Sequence, residues 1–261
     1  MGLPDMNDDV NHGDTDRTAQ APSHLATGVP ATGGQFVLER RHRLVAPLLP
    51  DPCGTLLDFG CGNGAQTLRF ADCCDKLIGV DLNQEYLTDF RQEATRLGLA
   101  DRVTAIATGG GPIHLPDGSV DAVTSFTVLE HVPDEQAALA EMYRVLRTGG
   151  VLVLTVPNRW WIFETHGADL PLLSWNRVPL VSWWPRRWHD KWARARIYRR
   201  RDIVELVTGA GFRVLDTGRL TAPMDVLPGA ALRNLARATL FRPDRTRIPF
   251  LATEILVAAE R

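Results

Sequence analysis

The chain has 261 residues, of which 44% are hydrophobic, so it can bury one substantial core and we expect a single active site. A formal net charge of −2 excludes the global positive field of nucleic-acid-binding domains, and we expect no nucleic-acid partner. No apolar run approaches the roughly 20 residues of a membrane span, and the N-terminus lacks the pattern of a secretion signal. We therefore expect a cytoplasmic protein.

The four cysteines lack the paired spacing of a zinc site. They are Cys53, Cys61, Cys73 and Cys74. We expect reduced thiols and no bound metal.

Residues 1–34 carry several aspartates and almost no large apolar side chain. Such a segment cannot offset its ordering entropy by burial, so the sequence predicts a disordered acidic tail. The alternative is a flap that becomes ordered over a ligand.

Residues 35–158 alternate between short apolar runs and amphipathic stretches. Strands are predicted at 55–59, 76–80, 102–107, 120–126 and 151–156, and helices at 36–48, 83–97 and 134–146. A further helix is expected to begin directly after the first strand. The order βαβαβ with short links predicts a doubly wound α/β fold with a mostly parallel sheet.

The alternation stops after Pro157 and resumes with a helix at 201–209, a strand at 212–217, a helical stretch at 230–240 and a strand at 251–259. We divide the chain into an acidic tail (1–34), a core (35–158), an insert rich in tryptophan and arginine (159–200) and a C-terminal part of the same sheet (201–261).

The segment 58–64, Asp-Phe-Gly-Cys-Gly-Asn-Gly, lies where the first strand ends. Its glycines allow the backbone to approach a ligand closely, and a following helix N-terminus favours negative groups. Gly60, Gly62 and Ala65 also satisfy the loose dinucleotide pattern GxGxx(G/A), so a dinucleotide-dependent oxidoreductase is an alternative.

Five segments in order resemble the motifs of class I, Rossmann-like S-adenosylmethionine (SAM)-dependent methyltransferases of the methyltransferase type 11, ubiquinone–menaquinone-biosynthesis-like group. They are Leu57–Gly64, Ile78–Leu82, Leu115–Val123, Val128–Asp134 and Arg144–Leu152. The resemblance implies a seven-stranded sheet with an antiparallel last strand, and SAM as the cofactor.

The resemblance also implies residue roles. The glycine loop, with Gly60, Cys61 and Gly62, would line the methionine part of SAM, and Asp58 would lie near its amino group. Asp81 would accept hydrogen bonds from both ribose hydroxyls, which suits a carboxylate. The alternative is that Asp81 merely caps the following helix.

The adenine side departs from the family, since Gly109 stands where many relatives have an aspartate that holds the adenine amine. Leu82, Gly110 and Ile113 would then contact adenine through packing and backbone groups.

Methyl transfer from a sulfonium is an in-line displacement, so orientation can supply most of the catalysis and a general base is optional. The candidate base is His131, after Glu130 at the carboxyl edge of the sheet. The alternative is a scaffold role for this pair.

Metal-dependent relatives have another glutamate at the position of Thr127, so we expect no divalent metal and assign Thr127 to the cofactor side.

All seven tryptophans fall in the insert, together with many arginines. Such side chains could hold a flat or apolar acceptor, form a structural lid, or make weak contact with an anionic membrane. The candidate acceptor contacts are Trp160, Glu164, His166, Trp184, Trp188 and Tyr198.

The sequence therefore predicts a methyltransferase that acts on an oxygen or nitrogen of a small aromatic or apolar acceptor, such as a secondary metabolite or a quinone-like or lipid-like molecule. A non-catalytic SAM-binding or membrane-associated module is the second alternative.

Overall fold

The computed structural model describes residues 35–164, 168–170, 173–175, 178–179, 181–184, 195–224 and 227–261. The acidic tail lies outside these residues. The division of the chain at 34, 158 and 200 stays a prediction.

The first part of the chain alternates strands and helices as predicted. Its elements are α1 (Gln35–Val45), β1 (Cys53–Phe59), β2 (Cys74–Asp81), α2 (Gln84–Arg96), β3 (Val103–Ala107), β4 (Val120–Phe126), α3 (Glu135–Val145) and β5 (Leu146–Pro157). Asn83 and Asp134 begin α2 and α3, and each side chain accepts hydrogen bonds from two backbone N–H groups of the first helical turn.

The described part of the insert contains two short antiparallel pairs, and two long strands follow it. β6 (Phe163–Glu164) pairs with β9 (Val178–Pro179), and β7 (Ala168–Leu170) pairs with β8 (Leu173–Trp175). The remaining elements are α4 (Arg200–Gly209), β10 (Arg213–Thr221), α5 (Ala230–Ala238) and β11 (Ala252–Glu260).

Seven strands form one sheet in the order β10-β11-β5-β4-β1-β2-β3. The pairings from β5 to β3 are parallel, and β11 is antiparallel to both of its neighbours. This confirms the doubly wound, mostly parallel seven-stranded sheet with an antiparallel last strand.

Both faces of the sheet are covered. One face packs against α3 and α4 through residues such as Met142 and Ile203, while α1 and the segment before β2 cover the other through Val45 and Phe70. None of the helices in the described part of the chain is long and apolar enough to cross a membrane.

The helix expected after the first strand is a short 3₁₀ helix, Thr67–Asp72, in which Arg69 N–H donates to Gln66 O and Cys73 N–H to Phe70 O. The start of the fifth strand was predicted too late. Strand β5 begins at Leu146 because this residue is extended and pairs with Val120.

Candidate active site

The loops that carry the predicted site residues leave the sheet at its carboxyl edge. β1 and β4 are neighbours, and the strand order reverses between them. In open α/β sheets this reversal leaves a crevice for ligands at the carboxyl ends of the strands. The loop after β1, the start of α2 and the loop after β4 all face this region.

The glycine loop is anchored to the end of β2. Gly60 N–H and Cys61 N–H both donate to Val80 O, at 2.8 and 3.1 Å. Gly60 has a φ of 77°, and a Cβ atom there would lie 2.4 Å from Val128 in the loop after β4. Only glycine fits this position, because any side chain would collide with Val128.

Asp81, at the end of β2, anchors the glycine loop through a hydrogen bond. Its Oδ2 accepts a hydrogen bond from Gly62 N–H at 2.8 Å, and its Oδ1 accepts one from Asn83 N–H at 2.9 Å. Asn83, not Asp81, accepts from the first-turn N–H groups of α2. Since a carboxylate offers about four acceptor positions, Asp81 keeps capacity for two further donors.

Leu82 presents an apolar side chain to solvent, 59% exposed, directly after Asp81. A Cβ atom on Gly110 would lie 4.0 Å from Leu82 Cδ2, so these two residues are neighbours. Ile113 is buried, and its N–H donates to Glu141 Oε2 at 2.7 Å. Ile113 can therefore contribute packing, while its N–H is already engaged.

Asp58 lies beneath the glycine loop and is 2% exposed. Thr67 Oγ1 donates to one carboxylate oxygen at 2.5 Å and Thr124 Oγ1 to the other at 2.9 Å. Burial raises the pKa of Asp58 to about 6, although the two hydroxyls and the nearby Arg41 oppose this shift. A cation bound near the loop would favour the ionised form.

Thr127 directly follows β4 and has a φ of 54°, which is uncommon for a residue with a branched side chain. Its N–H donates to Thr155 O at 2.9 Å, and its hydroxyl donates to Phe126 O at 2.7 Å. It lines a cavity of about 200 Å³ that we call the α1 cavity. The lining residues are Val37, Arg40, Arg41, Thr127, Pro157, Leu220, Thr221, Pro223, Thr253 and Glu254.

Two buried arginines of α1 line this cavity, and sequence reasoning gave neither a functional role. Arg41 pairs with Glu254 at 2.8 Å, and its Nη2 donates to Thr127 Oγ1 at 3.5 Å. Arg40 pairs with Asp244 at 3.0 Å. Burial lowers the pKa of Arg40, and Asp244 opposes this shift. The signal in the sequence was Arg40 on the apolar side of a helix; its partner is 204 residues away.

His131 lies in the loop after β4, and its N–H donates to Val128 O at 2.9 Å. It is partly buried, next to the fully buried Glu130, and is not among the residues that line the α1 cavity. Arg196 holds this loop by donating to Val132 O at 2.5 Å and Pro133 O at 3.1 Å. The catalytic role of His131 stays a prediction.

The candidate acceptor contacts of the insert do not share one environment. Tyr198 is buried in the main core, where its hydroxyl donates to Glu135 Oε1 at 2.5 Å. Trp160 is exposed and packs edge-on against Phe250, with ring centroids 5.7 Å apart. Trp184 is partly buried, and its carbonyl accepts from Arg159 at 2.8 Å.

Glu164 belongs to β6, and His166 and Trp188 lie outside the described residues. Trp161 belongs to a small separate core with Ala222 and Met224. This core favours a structural contribution of the insert.

Residues 57–154 match the family described as a methyltransferase domain. The chain is 31% identical over 209 residues to a "Probable S-adenosylmethionine-dependent methyltransferase" of Mycolicibacterium smegmatis, covering 79% of this chain and 69% of the relative. It is 33% identical over 112 residues to the 27-O-demethylrifamycin SV methyltransferase of Amycolatopsis mediterranei. That match covers 42% of this chain and 41% of the relative.

The fold is similar to the crystal structure of a SAM-dependent methyltransferase from Mesorhizobium loti. The TM-score is 0.59 at 18% identity, and the match covers 86% of this chain and all of the other.

Proposed function

This chain belongs to the SAM-dependent methyltransferases, and we propose that it methylates an oxygen or nitrogen of a small, uncharged acceptor that binds in the α1 cavity. The observation that carries the proposal is the position of this cavity. Thr127, which lines it, directly follows β4 at the same carboxyl edge as the glycine loop and Asp81.

The residues at the glycine loop fit SAM, the methyl donor of this family. Asp81 has free acceptor capacity for ribose hydroxyls, and the exposed Leu82 offers an apolar surface for a flat base. The buried Asp58 favours a cation, such as an amino group, near the loop. Bound there, SAM supplies an electrophilic methyl group on a sulfonium centre.

The α1 cavity suits an uncharged acceptor because the donor groups of its two arginines are already engaged. Arg41 pairs with Glu254, and Arg40 donates to Thr221 O and to Asp244, a carboxylate that it shares with Arg43. Val37, Leu220, Pro157 and Pro223 provide apolar contacts. About 200 Å³ is below the usual range for whole ligands, so the cavity would hold the reacting part of a larger acceptor.

The walls of the cavity contribute orientation and exclusion of water, which suffice for an in-line displacement. The 27-O-demethylrifamycin SV methyltransferase, by its name, acts on an oxygen of a large secondary metabolite, which supports an acceptor of this kind. A quinone-like or lipid-like acceptor, contact with it through the insert, and a cytoplasmic location stay predictions.

The test compares two neighbouring residues of α1. Val37 lines the α1 cavity, whereas Leu38 lines a different groove beside α2. We expect Val37→Phe to raise the acceptor KM strongly while SAM affinity is unchanged, and Leu38→Phe to leave the acceptor KM as it is. The assay follows transfer of a labelled methyl group from SAM to a panel of hydroxylated aromatics and amines.

The proposal is wrong if Val37→Phe, folded and SAM-binding, keeps the acceptor KM of the unmodified chain. A preference for anionic over uncharged acceptors would contradict the charge argument.

A further inference from the structure

A group of side chains with atoms that can coordinate a metal ion lies at the end of the sheet opposite the glycine loop. His42, Asp72 and Cys73 place a ring nitrogen, a carboxylate oxygen and a sulfur within 4.8 Å of one another. His42 Nε2 lies 3.0 Å from Asp72 Oδ1. Among the described residues, this is the one group of three or more histidine, cysteine or acidic side chains close enough to share a metal ion.

Local structure holds each of the three in place. His42 lies in the last turn of α1, with its ring 5.4 Å from the ring of the buried Phe70. Asp72 and Cys73 end the 3₁₀ helix, where Cys73 N–H donates to Phe70 O at 3.1 Å. Phe70 thus organises both sides of the group. The ligand atoms come from two elements whose backbones are already packed together.

We propose that His42, Asp72 and Cys73 bind a Zn²⁺ ion that ties the end of α1 to the segment following the glycine loop. Zinc accepts nitrogen, sulfur and oxygen ligands together, whereas Mg²⁺ and Ca²⁺ prefer oxygen alone. Tetrahedral zinc places its ligand atoms about 3.5 Å apart, so small side-chain movements suffice. Asp72 is exposed, which leaves an entry path and a fourth position for water.

Binding is accompanied by loss of one proton. The thiol of Cys73 gives its proton to solvent, and the resulting thiolate, the Asp72 carboxylate and a neutral imidazole balance the two charges of zinc.

The site connects two parts of the molecule with separate tasks. The earlier turns of α1 carry Val37, Arg40 and Arg41 into the α1 cavity, and the 3₁₀ helix begins with Thr67, which holds Asp58. A zinc ion at the end of both elements restrains them relative to each other. This inference does not depend on the nature of the acceptor.

The experiment uses the untagged, metal-free chain and titrates it with Co²⁺, which reports thiolate coordination by an absorption band in the near ultraviolet, and then with Zn²⁺ in competition. We expect the band in the unmodified chain, its loss in Cys73→Ser, and an affinity lowered about tenfold or more in His42→Asn.

Matched controls separate this site from other ligands. His114 is exposed and far from the cluster in sequence, so His114→Asn should bind as the unmodified chain does. Cys53 and Cys74 are buried with sulfurs 2.8 Å apart and form the competing thiol pair. Cys53→Ser should keep the band. A band that survives Cys73→Ser, or no band in the unmodified chain, overturns the proposal.

Discussion

The buried carboxyl of Asp58 makes stability depend on pH in a way that one isosteric substitution can reveal. Its folded-state pKa of about 6 lies above the ordinary value of 3.8. The fold therefore favours the neutral form of Asp58. The contribution of this form to stability is fully present below pH 3.8 and is lost as pH rises through about 6. One pKa unit corresponds to about 1.4 kcal/mol, so ionisation costs about 3 kcal/mol above pH 7.

Asp58→Asn removes this cost because the amide stays neutral. Its two polar atoms can still meet Thr67 and Thr124, since both hydroxyls can rotate to donate or accept. We expect the variant and the unmodified chain to be about equally stable near pH 4, and the variant to gain up to about 3 kcal/mol by pH 8. The difference should develop mainly between about pH 4 and pH 6.

The assay is urea denaturation of both proteins without SAM at a series of pH values. Taking the difference between them cancels the titration of all other groups. A difference independent of pH, or one that grows towards low pH, would refute the assignment of a raised pKa to Asp58.

Two further predictions concern packing. Arg41→Met should destabilise the chain by about 3 kcal/mol or more, because it leaves Glu254 without its buried partner. The double variant with Arg41→Met and Glu254→Leu should recover most of this loss. An additive double-mutant cycle would contradict the pairing. Gly64 and Gly98 both have positive φ, but only a Cβ at Gly64 collides, 1.9 Å from Phe90. Gly98→Ala should cost about 1 kcal/mol and Gly64→Ala clearly more, as measured by thermal unfolding; equal costs would be inconsistent with the collision.

The strands, the glycine loop and Asp81 could be predicted from the sequence because their signals are local. An apolar run bounded by glycine, and a carboxylate at the end of the next strand, are visible within a few residues. In the structure, Gly62 N–H donates a hydrogen bond to Asp81, so the glycine loop and this carboxylate are in direct contact.

The α1 cavity could not be predicted in this way. Arg41 and Glu254 are separated by 213 residues, so their pairing depends on β11 lying beside β5 at the carboxyl edge. The group at His42 was missed for a related reason, since its ligands lie 30 residues apart on two elements without a recognisable spacing. The 3₁₀ geometry of the helix at Thr67–Asp72 could not be predicted, because the glycine loop favours a helix start without specifying its hydrogen-bond pattern.

Calorimetry of SAM binding to Asp81→Ala tests the claim that SAM binds at the glycine loop with Asp81 as the acceptor for its ribose. Asp89→Ala, which removes an exposed carboxylate of α2, is the matched control. We predict a loss of about 1.5 to 3 kcal/mol, or roughly tenfold to 150-fold in affinity, for Asp81→Ala and no change for the control. Unchanged affinity in a folded Asp81→Ala variant would contradict the claim.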